Sequence, residues 1–365
     1  MRLAAFLLAA ALAFPATAQE GDTFVPSLNT AAVPAVLEKA VDGFIRPGYH
    51  TFLNSAQALE TDMRALCADH DAESLATARE AFEETVRAWS RIEVVRVGPV
   101  IEKNRFERIL YYPDRKSIGL KQVQAALSKQ DETATSVETL KDKSVAMQGL
   151  GALEFLLHGT GNEELTASAD TYRCRYGTAI AGNLVRLGTE LTEAWDDPNG
   201  VQAAWKKPGA DNPVYRDERE AVTGLLGILV HGAEAIRDQR VETFYKGPDA
   251  VAFPRQAIYW RSGLTFVSIT ENLSGIETLM KVSGMVELLD PGVRSIVSSI
   301  DFVLKSLIRV GDGMDPDVEK AVGEDAGRAK LDFLLLNGKD LILRLNDTYG
   351  GAIGLGAGFS FSDGD

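Results

Sequence analysis

Residues 51–66 read TFLNSAQALETDMRAL, and within them Phe52, Ala56, Leu59, Met63 and Leu66 recur at steps of 4, 3, 4 and 3. That spacing puts these five apolar side chains on one stripe of an α-helix and leaves Glu60, Asp62 and Arg64 outside it. The same rhythm returns in Phe82, Val86 and Trp89, and in Tyr172, Tyr176, Ile180, Leu184, Leu187 and Leu191. Further along, Val222, Leu226, Leu229, Ala233 and Ile236 repeat it, as do Phe266, Ile269, Leu273, Ile276 and Met280, and then Val293, Ile296, Ile300, Val303 and Leu307. No segment alternates in the manner of a strand, so the expected fold class is all-α.

Punctuation divides these stripes. Pro47-Gly48 should kink or end a segment that begins near Pro34, and Gly98-Pro99 should stop the helix carrying Trp89. Tyr111-Tyr112-Pro113-Asp114 reads as a turn. Helices are expected over residues 136–158, 169–195 and 315–349, with Asp290-Pro291 and Asp315-Pro316 as N-caps followed by a first-turn proline. Three prolines and two glycines fall between residues 196 and 213, the best candidate boundary. The expected organisation is a helical bundle over residues 19–198, a second over 214–350, and a glycine-rich tail over 351–365. Gly354, Gly356 and Gly358 in that tail do not make a phosphate loop, because no strand precedes them and no Lys-Ser/Thr follows.

The chain of 365 residues is 45% hydrophobic and 25% charged, a globular balance. Its start is different. Met1-Arg2, an apolar run over residues 3–14 and Ala16-Thr17-Ala18 have the form of a cleavable export signal over residues 1–18. Loss of Arg2 with that leader changes the net charge from −14 to −15. Such acidity excludes nucleic acid and anionic lipid as natural partners, and no segment of the cleaved chain reads as a membrane span. Cys67 and Cys174 are the only cysteines, and in an oxidising compartment a lone pair forms one disulfide. With four histidines and no H-E-x-x-H, the common zinc-peptidase motif is missing.

Charges on the wrong face mark candidate functional residues. Continuing the Phe82 stripe through Trp89 by 4 and 3 gives Glu93 and Arg96, which should pair with each other or with another helix, either lining a polar pocket or forming a structural ion pair. In GLGALEFLLHG, residues 149–159, Gly149, Gly151, Glu154 and His158 interrupt an apolar helix. The glycines there allow close helix approach or make space for a ligand, and Glu154 and His158, four apart, could share a metal ion or a hydrogen bond. His231 and Glu234, three apart, fit a solvated face better than a ligand pair. Lys103, Arg105, Arg108, Arg115 and Lys116 surround the 111–114 turn and suit either an anionic group or a charge mosaic with Glu102, Glu107 and Asp114.

GLGALEFLLHG resembles the imelysin-like proteins, whose signature is G-x-H-x-x-E followed by an apolar run and a glycine. Trp89 to Arg96 with Gly98-Pro99, Arg108 to Asp114, Arg173-Cys174, Ser262-Gly263-Leu264, Asn272-Leu273 and the closing Asp363-Gly364-Asp365 are similar to the predicted periplasmic (lipo)protein branch of that family. The resemblance implies two helical bundles packed around an interdomain cleft, with the signature near the cleft, in an exported bacterial protein linked to insulin-cleaving peptidase activity or to iron regulation and uptake. Gly149 and Glu154 match the signature; Gly151 stands where it has histidine. The expected function is therefore binding of a cation or small ligand in the cleft, with iron or another divalent cation as cofactor and iron-uptake proteins as partners, and without catalysis. Glu93, Arg96, Arg108, Asp114, Gly149, Gly151 and Glu154 are the expected ligand contacts, with Glu154 and His158 as metal ligands. The rival expectations are a metallopeptidase with an altered metal site and a purely structural protein.

Overall fold

The computed structural model describes residues 25–358, all helix, turn and loop, with no strand among them. The expected leader at residues 1–18 and the Asp363-Gly364-Asp365 ending lie outside the described residues. Helix α1 (Val33–Ala40) runs through one wide π-helical turn (Val41–Ile45) into α2 (Arg46–Asp69), with Pro47 directly after that turn. The chain then reverses at His70, in the left-handed region, and α3 (Ala72–Ile92) starts from an Asp71–Ser74 capping box. All five stripe residues quoted from residues 51–66 are buried, and α2 packs along α3 and α5 (Tyr172–Asp196). A disulfide between Cys67 and Cys174 pins the end of α2 to the start of α5. Closing a loop of 107 residues this way contributes about 4–5 kcal/mol in the chain-entropy view. α4 (Leu150–His158) completes this first bundle.

The second bundle holds α6 (Glu218–Glu234), which continues through a π-helical stretch (Ala235–Val241), and α7 (Thr265–Ser283), α8 (Ser295–Asp312) and α9 (Asp325–Leu343). Its stripe residues Val222 to Ile236 and Phe266 to Met280 are buried, so period and burial agree. The two bundles meet where α7 crosses α3. A Cβ on Gly275 would lie 2.2 Å from the carbonyl oxygen of Arg91, so only glycine permits that approach. Ser90 and Ser268 share a hydrogen bond of 2.9 Å there, and Arg91 reaches Glu271 at 2.6 Å. Between the bundles, the Pro- and Gly-rich stretch contains a helical turn (Val201–Lys206) whose buried Trp205 packs against Trp195 and Tyr215.

Three expectations about helix ends need correction. Residues 136–158 are not one helix: a turn (Val137–Leu140) and a 3-10 turn (Val145–Met147) precede α4. The cause is Gln148, whose buried amide donates to the carbonyls of Lys141 and Lys143 and holds that backbone out of helical register. Gly149 and Gly151 are consequently not helix-interior residues: Gly149 is the extended N-cap of α4, and Gly151 lies in its first turn. Residues 315–349 also divide, at Gly323 and Glu324, and the cap there is Asp317, which accepts from the N–H groups of Glu319 and Lys320. Asp315 instead accepts from the Asp317 N–H.

Candidate functional site

α4 has only nine residues, too short to stand alone, and it is fixed at both ends by tertiary contacts. At its start the backbone of Gly149 lies against the chain of Arg108 and Ile109, where an added Cβ would come within 2.3 Å of a carbonyl oxygen. At its end, carbonyls that no further turn can satisfy receive arginine N–H groups. Arg79 donates twice to Leu157, at 3.1 and 2.8 Å, and buried Arg173 donates to Leu156 at 3.0 Å and Thr160 at 2.7 Å. Glu154 therefore projects from a clamped element.

Its carboxylate is buried and engaged. Oε1 accepts from the N–H of Arg261, the N–H of Ser262 and the Ser262 hydroxyl, each at 3.0 Å. The turn that presents these donors carries positive φ at Tyr259 (53°) and Gly263 (73°). Burial pushes the Glu154 carboxyl above its ordinary range, and the Arg261 charge and the Ser262 hydrogen bonds offset this only in part. The Arg261 guanidinium lies 4.5 Å from the Trp260 ring and 5.4 Å from the Phe155 ring, a cation flanked by two aromatic faces.

Above Glu154 opens a cleft of about 160 Å³, bordered by Tyr111, Gly151, Arg115, Arg255 and Arg261. A side chain at Gly151 would meet open space, with no atom within 4 Å of its Cβ. Asp114 also borders the cleft, but its carboxylate caps the helix Ile118–Lys129 through the N–H groups of Ile118, Gly119 and Leu120, at 2.8, 2.9 and 3.2 Å. Arg108 borders neither cavity; it ties together the Lys103 carbonyl (3.1 Å), the Lys141 carbonyl (2.5 Å) and Gln148 Oε1 (3.0 Å).

Glu93 lies in a different place. It borders a second cavity of about 480 Å³, with Arg96, Phe106, His231, Arg240 and Asn272 among the surrounding residues. Glu93 Oε1 accepts from Arg240 at 2.7 Å and from the Asn272 amide at 2.7 Å, and all three side chains are buried. The pairing of Glu93 is thus with another helix. Arg96 pairs instead with Glu107, 3.4 Å away, and covers the Phe106 ring at 4.2 Å. The wall between the two cavities contains Tyr112, whose ring lies 4.9 Å from the Arg240 guanidinium, and buried Tyr259, whose hydroxyl has no partner; Arg115 borders both sides.

Glu154 and His158 do not act together. The carboxylate turns to the 261–262 turn, while the imidazole packs 5.9 Å from the Phe82 ring with Nε2 buried and unpartnered. Burial, reinforced by the Arg79 charge, holds His158 down to about 4, so it is neutral at pH 7. Among the described residues no three His, Cys, Asp or Glu side chains gather around a common point. The donors present do not fit a resident metal, which needs about three protein ligands.

Sequence reading missed Arg240, Arg261 and the donor role of Ser262. Arg240 carried the same signal as Glu93, since it is the next step of four after Ile236 on a buried stripe. Arg261 and Ser262 lie in a turn, where periodicity has nothing to say.

The sequence profile of the imelysin family (peptidase M75) matches residues 45–345. A search of curated proteins finds no match. Among solved structures, the chain is similar to an imelysin-like protein from Psychrobacter arcticum, at 15% identity and a TM-score of 0.76, covering 92% of this chain and 100% of that one. It is also similar to an iron-regulated protein A precursor from Parabacteroides distasonis, at 14% identity and a TM-score of 0.67, covering 87% and 95% of the two chains. At these identities the likeness is one of fold.

Proposed function

The chain belongs to the imelysin family, and from that premise we propose that it is an exported, non-catalytic binding protein whose signature cleft takes a small polycarboxylate anion. A ferric chelate of such an anion would connect the cleft to iron acquisition; the Parabacteroides neighbour is named an iron-regulated protein. One observation carries this reading. Three arginines, Arg115, Arg255 and Arg261, border the cleft, while the two acidic side chains beside them are already occupied, Asp114 as a helix cap and Glu154 by the Arg261–Ser262 turn. Arg115 has no ion-pair partner among the described residues, so it is available to a carboxylate. No helix among the described residues is long and apolar enough to cross a membrane. Export itself rests on the form of residues 1–18.

A bare cation suits this cleft less well, because it would meet three guanidinium groups. Peptidase chemistry of the zinc type is disfavoured for the same reason and by glycine at position 151. Calorimetric titration with citrate, ferric citrate, Fe²⁺ and Zn²⁺ separates these readings. Saturable binding of citrate or its ferric complex, weakened at least tenfold by Arg115→Gln, is expected. Stoichiometric binding of Fe²⁺ or Zn²⁺ with no response to citrate, or cleavage of casein that a chelator abolishes, would overturn the proposal.

A further inference from the structure

The last described residues lead into the cavity beside Glu93. Arg219, in the first turn of α6, donates to the Gly354 carbonyl at 2.7 Å, and the Ala357 N–H donates to Asn346 Oδ1 at 3.0 Å. About two turns further along α6, a Cβ on Gly227 would come within 3.3 Å of the Ala357 carbonyl oxygen. The tail is therefore pinned alongside α6 and runs toward the C-terminal end of that helix. Burial alternates along it: Ile353, Leu355 and Ala357 are buried or half-buried, while Gly354, Gly356 and Gly358 are exposed. Gly354, at φ 67°, sits within this alternation without breaking it, and Gly358, at φ 72°, has the same kind of backbone.

Ala357 also borders the cavity of about 480 Å³, whose lining continues along α6 and its π-helical extension through His231, Ala235 and Gln239. All three are half-buried, so the described residues cover this face only in part. The sequence after Gly358 is Phe359-Ser360-Phe361-Ser362-Asp363-Gly364-Asp365. It keeps the period of two, with phenylalanine at the inward positions and serine at the outward ones. Extended chain advances about 3.3 Å per residue against about 1.5 Å for a helix, which brings position 359 level with His231 and position 361 level with Ala235. Val94, Phe106, Ile228 and Ile236 supply apolar wall there. Charge is matched too. Glu93, Glu234 and Asp238 on the lining are paired with Arg240, His231 and Arg237, whereas Arg115 has no ion-pair partner among the described residues.

We propose that the occupant of this cavity is the chain's own segment 359–365. Phe359 and Phe361 fill it against the apolar walls, and the acidic residues that follow lie at the Arg115 rim. The driving force is the removal of two aromatic rings and the facing walls from water. The face of α6 beyond Gly227 is thus an intramolecular docking surface, and the assignment rests on no ligand in the signature cleft.

The two cysteines of the chain are joined to each other, so a single engineered thiol reports on the cavity. In the full-length protein, Ala235→Cys should react slowly with an aromatic disulfide reagent. Removing residues 359–365, or combining Phe359→Ala with Phe361→Ala, should speed that reaction by about tenfold or more, because the thiol is then no longer covered. Ser360→Ala with Ser362→Ala should leave the rate unchanged, and Asp363→Asn with Asp365→Asn should raise it by a smaller factor. Ala233→Cys, buried on another face of the same helix, controls for general loosening and should keep its rate when the tail is removed. If Ala235→Cys does not fold, Gln239→Cys replaces it at another half-buried lining position. Equal rates with and without residues 359–365, or an equal rise at Ala233→Cys, would overturn the assignment. So would protection that survives truncation and grows with protein concentration, which would make a second copy the occupant. None of these readouts involves citrate, so failure of this proposal is distinguishable from failure of the proposed function.

Discussion

Glu154 and Glu93 are the two buried carboxylates among the described residues, 4% and 7% exposed. Their surroundings differ. Glu154 is held chiefly by neutral donors, two backbone N–H groups and a hydroxyl, with the Arg261 guanidinium 3.9 Å from its second oxygen. Glu93 is held by the full charge of Arg240 at 2.7 Å and keeps one oxygen free. Burial alone therefore does not tell what a buried acid does. Glu154 is a latch that closes the 259–264 turn onto α4, and Glu93 is half of a buried ion pair beside a cavity.

The largest effect should come from breaking the ion pair. Glu93→Ala strands a buried guanidinium, and the loss is expected to be about 3–5 kcal/mol by urea unfolding. Glu154→Ala removes the acceptor for three donors around one oxygen, at about 2–3 kcal/mol, and should also loosen the turn in hydrogen exchange at Arg261 and Ser262. An equal loss in the two alanine variants would erase the distinction.

The pH dependence of His158 sharpens the picture of α4. On folding, its affinity for a proton falls from an ordinary 6.5 to about 4. Between those values the unfolded chain binds a proton that the native chain refuses, so stability drops as pH falls from 6.5 toward 4 and is fully present above 6.5. After allowance for partial exposure, the drop from this group is about 2 kcal/mol. His158→Leu should flatten that part of the pH–stability curve by the same amount; an unchanged slope would remove His158 from the account. Ser262→Ala should have the smallest effect, about 1 kcal/mol, because the two backbone donors to Glu154 remain.

Much of the fold could be read directly. The 4-3-4-3 stripes depend only on which face meets the core, and they marked the buried faces of α2, α3, α5, α6 and α7. Helix ends were less legible, because the break at residues 141–149 comes from the Gln148 side chain and from the contact of Gly149 with Ile109, both tertiary. Glu93 and Glu154 were visible as charges on apolar stripes, although α3 ends at Ile92, so that Glu93 is its C-cap and Arg96 lies beyond the helix. That they border two cavities rather than one was not, since the dividing wall is assembled from Tyr112, Arg240 and Tyr259, which are far apart in the chain. The reach of Asp114 and Arg108 into local backbone was equally hidden.

The contrast between the two acids is tested most directly by urea unfolding of Glu154→Gln and Glu93→Gln side by side at pH 7. A glutamine at position 154 keeps a neutral oxygen for the same three donors, so a change within about 1 kcal/mol is predicted. At position 93 the same substitution removes the charge opposite Arg240, and a loss larger by about 2 kcal/mol or more is predicted. Equal losses, or a larger loss at position 154, would contradict the division into a latch and a buried ion pair.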